Sequence, residues 1–257
     1  MASPSALSGR LESTGQAHLL RHAATLPATA RAAFEAELAE IPWERVAAAF
    51  KTPPGAVPPD LRPPECLTWR RQQNEAGFAR RLAAQGSALL AAGRVATVLL
   101  AGGQGTRLGF PGPKGTYVLG PEPDRTLYAV LLERVLAVSR AAGRPVPLVL
   151  LVSRETEHAT RAALEAAGWH GLDPALVRIV RQGELPALDA EGRALLAGPG
   201  RLALSPDGHG GLVEALRLSG TFDWLAGLGI ECVTTHQVDN PLGRALDPVF
   251  LGWLLDR

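Results

Sequence analysis

A short apolar run, Val95-Ala-Thr-Val-Leu-Leu-Ala101, passes without a spacer into Gly102-Gly-Gln-Gly105. A run of this length lacking polar alternation suits a parallel strand buried on both faces. Parallel neighbours need long crossovers, usually helical, so the rest of the chain must alternate strands with helices. It does. Leu127, Leu131, Val135 and Val138 recur at helical spacing, Pro147 to Ser153 reads as a second buried strand, and Glu155 to Ala167 as a second helix. Leu176 to Arg181 is a third strand and Arg193 to Ala197 a further short one. Gly211 to Leu228 reads as one helix, and Ile230 to Val238 as a strand ending in Asp239-Asn240. The class is α/β with a mostly parallel, mixed sheet and no internal repeat.

The residues before Arg94 follow another pattern. Residues 1 to about 50 read as two or three amphipathic helices, with Leu7, Leu11, His18, Leu19 and then Phe34, Leu38, Ile41 near helical spacing and Pro27 and Pro42 as punctuation. Six prolines and Gly55 between Pro53 and Pro64 read as an extended linker. A helical pattern returns from Glu65 to Ala92, with Trp69, Phe78, Leu82, Leu89 and Leu90 as packing positions. Gly77, Gly86 and Gly93 are expected to break it. The chain thus divides into a helical region with its linker, 1–64, and an α/β domain, 65–257.

Composition narrows the function. The 26 basic and 25 acidic side chains leave a net charge of +1, without the basic excess a nucleic-acid partner requires. The apolar stretches are too short to cross a bilayer and no basic-then-apolar leader opens the chain, so neither a membrane nor secretion is expected and the location reads as cytoplasmic. Cys66 and Cys232 are widely spaced, which argues against a disulfide framework or structural zinc and for two buried or inert thiols. Only Lys51 and Lys114, among the 26 basic residues, are lysines.

The glycine loop lies at the carboxyl end of the first strand, the edge of an open α/β sheet at which ligands bind. Gly102, Gly103 and Gly105 let backbone N–H groups approach anionic oxygens, and Arg107 and Lys114 add two positive charges suited to phosphate. Lys114 precedes Gly115 rather than Ser or Thr, which excludes a Walker A loop. Leu108 stands where the third glycine of a dinucleotide fingerprint would fall, which leaves an NAD-dependent oxidoreductase with little support.

Leu-x-Gly-Gly-x-Gly-Thr-Arg-Leu-Gly over 100–109 of this loop, with Pro113-Lys-Gly115, resembles the signature of the UDP-N-acetylglucosamine and UDP-sugar pyrophosphorylases. Gln182-Gly-Glu-Leu-Pro186, Ser205-Pro-Asp-Gly-His-Gly-Gly211, Val238-Asp-Asn240 and Asp247-Pro-Val-Phe250 continue the likeness in the same order. The resemblance implies a Rossmann-like nucleotidyltransferase domain. It also implies that UTP and a sugar 1-phosphate give a UDP-sugar and pyrophosphate, with N-acetylglucosamine 1-phosphate the favoured sugar. In its terms Arg107 and Lys114 serve the triphosphate catalytically. Leu100, Ala101, Gly102, Gly103, Gly105, Thr106, Gln182 and Gly208 bind the nucleotide, His209 and Asn240 the sugar, and Asp239 a Mg²⁺ ion. No histidine is needed as a base, because the attacking phosphate is already deprotonated.

Two departures qualify the likeness. The N-acetylglucosamine branch usually has asparagine at the position of His209, and histidine is frequent in branches using glucose or mixed sugars, so glucose or galactose 1-phosphate stays an alternative. Relatives usually continue well past the Asp-Pro-Val-Phe block. An end inside the apolar pattern Val249 to Leu255 is expected to leave apolar surface and a sheet edge open, which predicts self-association or a complementary C-terminal chain. A non-catalytic nucleotide-binding module or inactive fragment is the reading from another class.

Overall fold

A computed structural model of the chain describes residues 4–52, 55, 60–61, 63, 65–121 and 125–256. Four helices come first: α1 (Pro4–Ser13), α2 (Ala17–Ala24), α3 (Ala28–Glu40) and α4 (Trp43–Lys51). Then follow α5 (Trp69–Asn74), α6 (Ala76–Ala91), β1 (Val95–Leu100), α7 (Leu127–Ala142), β2 (Leu148–Val152), α8 (Arg154–Ala166) and β3 (Val177–Arg181). Four short strands succeed them, β4 (Glu184–Pro186), β5 (Leu196–Gly198), β6 (Arg201–Leu202) and β7 (Leu204–Pro206). The chain continues with α9 (Leu212–Leu218), α10 (Thr221–Gly227), β8 (Cys232–Gln237) and α11 (Pro248–Leu255). No helix among the described residues is long and apolar enough to cross a membrane. The proline-rich stretch expected as a linker lies mostly outside the described residues.

Two compact units result, Met1–Pro63 with Glu184–Asp207, and Pro64–Gly183 with Gly208–Arg257. The sequence reading assigns residues 184–207 to the α/β domain, but they pack on the N-terminal helices. The buried Gln16 side chain explains this: its Nε2 donates to the Gly192 carbonyl at 2.8 Å and its Oε1 accepts from the Ala194 N–H at 2.9 Å. Leu202 N–H likewise donates to the Glu37 carboxylate at 3.1 Å. Leu11, Leu19, Phe34, Leu38 and Trp43 form the core beneath, with Ala194 and Leu202 packed into it. Four helices replace the two or three expected, because Gly15 at φ +79° separates α1 from α2, and Pro27 and Pro42 start α3 and α4. The strand expected over 193–197 falls at 196–198, since Asp189 accepts from the Glu191 and Arg193 N–H groups and holds Arg193 in a turn.

The second unit is a four-stranded, wholly parallel sheet in the order β3-β2-β1-β8. The antiparallel pairs, β4 with β7 and β5 with β6, belong to the first unit and not to this sheet. Val98, Val149 and Leu151 face one layer with Ala215 and Leu216, whereas Leu99, Leu148 and Leu150 face the other with Leu131, Leu132 and Val135. Burial on both faces is why β1 and β2 read as uninterrupted apolar runs. The single helix expected over 211–228 is two, because Gly220 adopts φ +64° between α9 and α10. Trp69, expected to pack, is 69% exposed, and Cys66 is exposed rather than buried. Leu82, Leu89 and Leu90 are buried as expected.

Gly77 and Gly86 do not break α6; the break falls at Glu75, before it. Gly86 instead lets α11 approach. A Cβ there would stand 2.0 Å from the Pro248 carbonyl oxygen, and a Cβ on Gly252 would stand 2.0 Å from that of Leu82. The reciprocal pairing of 82 with 252 and 86 with 248 makes the helices antiparallel at their contact. Gly252→Ala is expected to lose about 1–2 kcal/mol, less than an overpacked core centre, because an eight-residue helix can undock alone. Hydrogen exchange should quicken in α11 and leave β1 and β2 protected; unchanged exchange in α11 would refute the contact's importance.

Candidate functional site

The strand order places a topological reversal at β1: β2 and β3 lie on one side of it and β8 on the other. Ligands of open α/β sheets bind beyond the carboxyl ends of the strands at such a point. The predicted site residues on the glycine loop, and Gln182, Asp239 and Asn240, follow those ends. Leu100 closes β1, Ala101 N–H donates to the Leu151 carbonyl at 2.8 Å, and Gln182, one residue beyond β3, donates its N–H to the Val152 carbonyl at 2.8 Å. Val238 N–H donates to the Leu100 carbonyl at 3.0 Å, which brings Asp239 beside the start of the glycine loop.

A side chain from just beyond β3 packs on Gly102. A Cβ at this position would lie 2.7 Å from Oε1 and 2.9 Å from Nε2 of Gln182, so the amide rests directly on the loop backbone. Gly105 N–H donates to the Gly112 carbonyl at 2.8 Å, and a Cβ on Gly105 would meet the Phe110 ring at 2.7 Å. Gly109, at φ +66°, ends the 3-10 turn Thr106–Leu108. Thr106 and Arg107 are exposed on that turn, and no hydrogen bond or ion pair holds the Arg107 guanidinium among the described residues.

Lys114 joins the pieces. Its N–H donates to the Gly103 carbonyl at 3.0 Å, and its Cε and Nζ lie 3.7 Å from where a Gly103 Cβ would stand. Its Nζ donates to Asp239 Oδ2 at 3.1 Å across the reversal. The lysine side chain is 18% exposed and the carboxylate 51%. Asn240 sits in the turn after β8, where its N–H donates to the Gln237 carbonyl at 3.1 Å. Gly208, at φ +71°, and the exposed His209 open the turn into α9, and among the described residues neither is joined to the glycine loop by a hydrogen bond or ion pair.

Two side chains outside the predicted set shape the loop. Gln104 Nε2 donates to the Glu155 carboxylate at 2.5 Å, tying the loop to the first turn of α8. Tyr128, buried on α7, lays its ring against Gly115, and its hydroxyl bonds the Thr160 hydroxyl at 3.1 Å. Burial, only partly offset by Thr160, pushes the Tyr128 phenol up to about 12. A polar residue amid glycines marks Gln104 in the sequence, but its partner lies 51 residues away and nothing local names it.

A cleft of about 530 Å³ lies elsewhere, between α7 and residues 242–248, and holds none of the glycine-loop residues. His236 lines it, with its Nδ1 3.1 Å from the Thr97 hydroxyl, which itself accepts from Thr234 at 3.0 Å. The Thr97 proton is therefore free for a neutral imidazole nitrogen, and burial pulls the His236 pKa down to about 4. An unfolded chain protonates this histidine near pH 6.5, so its contribution is complete above 6.5 and is lost as pH falls towards 4, by about 2–3 kcal/mol. Melting temperatures of wild type and His236→Gln should converge on acidification across that window; parallel curves would refute the assignment.

These features match a known family over most of the chain. Residues 70–257 fit the family described as UTP–glucose-1-phosphate uridylyltransferase. The chain belongs to this uridylyltransferase family. It is 37% identical to the human UDP-N-acetylhexosamine pyrophosphorylase-like protein 1, over 98% of this chain and 53% of that protein. It is also 37% identical to the UDP-N-acetylglucosamine diphosphorylase 1 of Arabidopsis thaliana, over 64% of this chain and 35% of that one. The fold of this uridylyltransferase relative superposes on the uridine diphosphate N-acetylglucosamine pyrophosphorylase of Trypanosoma brucei with a TM-score of 0.81 and 26% identity. That superposition covers 100% of this chain and 55% of the other. The chain thus spans about half the length of the human and trypanosomal proteins.

Proposed function

We propose that this protein takes part in making a UDP-sugar and pyrophosphate from UTP and a sugar 1-phosphate, with N-acetylglucosamine 1-phosphate the favoured sugar. The observation that carries the reading is the convergence of Gly102, Gly103, Gln182, Lys114 and Asp239 at the carboxyl ends of β1, β3 and β8. Nucleotide chemistry fits each part. The Gln182 amide donates and accepts at once, as the edge of uracil requires, and it already rests on the loop. Leu100, Ala101, Gly105, Thr106 and Gly208 are assigned to the rest of the nucleotide; because the Ala101 and Gly105 N–H groups are taken by the Leu151 and Gly112 carbonyls, these two residues serve by shaping the loop and not by donating to phosphate.

In the reaction a phosphate oxygen of the sugar 1-phosphate attacks the α-phosphorus of UTP in line. A new P–O bond forms, the bond from the α-phosphorus to the bridging oxygen breaks, and its electron pair leaves with pyrophosphate. Positioning two polyanions and neutralising the leaving charge supply the catalysis. Arg107, exposed on the loop and held by no hydrogen bond or ion pair among the described residues, is suited to the β- and γ-phosphates, and Lys114 to the α-phosphate. Asp239 is a hard carboxylate donor at a strand end, half exposed, which fits a Mg²⁺ ion completed by phosphate oxygens and water. That ion would add charge neutralisation at the triphosphate. Asn240 and His209 are assigned to the sugar.

A cytoplasmic location belongs to the same reading, and the wide spacing of Cys66 and Cys232, which suits no disulfide framework, is in keeping with it. His209 favours a second reading, glucose or galactose 1-phosphate as substrate. The test is pyrophosphate release by the purified chain with UTP, Mg²⁺ and a panel of N-acetylglucosamine, N-acetylgalactosamine, glucose and galactose 1-phosphates. Release that is fastest with N-acetylglucosamine 1-phosphate is expected. Faster release with glucose 1-phosphate would move the assignment to the second sugar class, and UTP binding without release would leave a nucleotide-binding module.

A further inference from the structure

The cradle and the carboxylate that flank Lys114 make opposite demands on one ammonium group. Nζ lies against Gly103, on the loop whose backbone is shaped to receive phosphate, and simultaneously bonds Asp239 Oδ2 at 3.1 Å. A phosphate seated at that loop and touching Nζ must therefore lie close to the Asp239 carboxylate. Two like charges at such range repel, and the repulsion is strongest where solvent is partly excluded, as around a lysine side chain only 18% exposed. Asp239 Oδ1, by contrast, has no protein hydrogen bond among the described residues and belongs to a side chain that is 51% exposed. Oδ1 is therefore the oxygen of this pair left for a cation.

We infer that the Lys114–Asp239 ion pair is an internal lock that makes nucleotide binding itself, and not only turnover, depend on the divalent cation. Without the cation, Asp239 both occupies the ammonium and repels the triphosphate. With the cation on Asp239, the carboxylate's charge is satisfied, Nζ is released to phosphate, and the two ligands favour each other's binding reciprocally. This inference rests on the reading of the glycine loop as the UTP phosphate site.

Calorimetric titration of UTP into wild type and Asp239→Asn, each in EDTA and in Mg²⁺, tests it. In EDTA the Asp239→Asn variant should bind UTP about three- to tenfold more tightly than wild type, because competitor and repulsion are both removed. The enhancement by Mg²⁺ should shrink in the same variant. Equal or weaker binding by Asp239→Asn in EDTA overturns the lock and leaves the functional reading intact. Absence of UTP binding by wild type in both conditions overturns the reading and the lock together. A second readout does not depend on a variant's folding. The chain has two lysines, so ¹³C-methylated wild type gives one signal for Lys114, one for the exposed Lys51 and one for the N-terminal amine, the last distinguished by its lower pKa. Mg²⁺ alone, without nucleotide, should shift the Lys114 signal and not that of Lys51; an unmoved Lys114 signal at Mg²⁺ levels that restore UTP binding overturns the lock.

Discussion

Lys114→Met is expected to lower UTP-dependent pyrophosphate release by about two to three orders of magnitude, the usual cost of deleting one donor aimed at transition-state charge. Stability should barely change. Methionine keeps most of the stem that lies over Gly103, and the lost ion pair involves a carboxylate that is 51% exposed and can return to water. Exposed pairs of that kind contribute only about 0–1 kcal/mol. The variant therefore separates chemistry from folding: an unaltered melting curve with release reduced at saturating UTP assigns the ammonium to the reaction. Lys114→Arg should recover only part of the rate, because a planar fork cannot occupy the position of a compact ammonium beside Gly103. Release within threefold of wild type in Lys114→Met would remove this residue from the mechanism.

How much of this was legible in the chain depends on the range of the contact. β1 and β2 could be read from Val95–Leu100 and Leu148–Val152 because burial on both faces leaves an uninterrupted apolar run. The glycine loop announced a phosphate cradle because glycine and fixed positive charge are local signals. Lys114 and Asp239, however, are 125 residues apart, and only the parallel pairing of β1 with β8 brings them together. Physical pattern alone gave Asp239 as a strand-end carboxylate; the resemblance to a family gave it a metal. Gln182 resting on Gly102 is of the same kind. Residues 184–207 read as part of the α/β domain because their anchor in the first unit, Gln16, acts through the Gly192 and Ala194 backbone, which leaves no mark in side-chain periodicity. Gly86 misled for the opposite reason. A lone glycine in a helical pattern reads as a weakness, yet here it is the surface on which α11 rests.

Gly115→Val is expected to destabilise the second unit by about 3 kcal/mol or more, at the upper end of overpacking costs, lowering its melting temperature by roughly 6–12 °C. The residue after Lys114 is buried, and a Cβ there would stand 2.1 Å from Tyr128 Cζ and 2.3 Å from both Cε atoms. The ring cannot swing aside cheaply: Tyr128 is 1% exposed on α7 and its hydroxyl is bonded to Thr160 on α8. Either the phenol gives up that bond, leaving buried polar groups unpaired, or the 3-10 turn Lys114–Thr116 moves outward. The second route reaches the site, because it drags Lys114 away from Gly103 and Asp239. Removing the obstacle should reverse the effect, so Gly115→Ala combined with Tyr128→Leu ought to be more stable than the sum of the single changes predicts. Additive losses in that double-mutant cycle would show that ring and glycine are not in conflict. A coupled recovery of both stability and UTP binding would show that the packing of one aromatic ring sets the position of the loop's lysine.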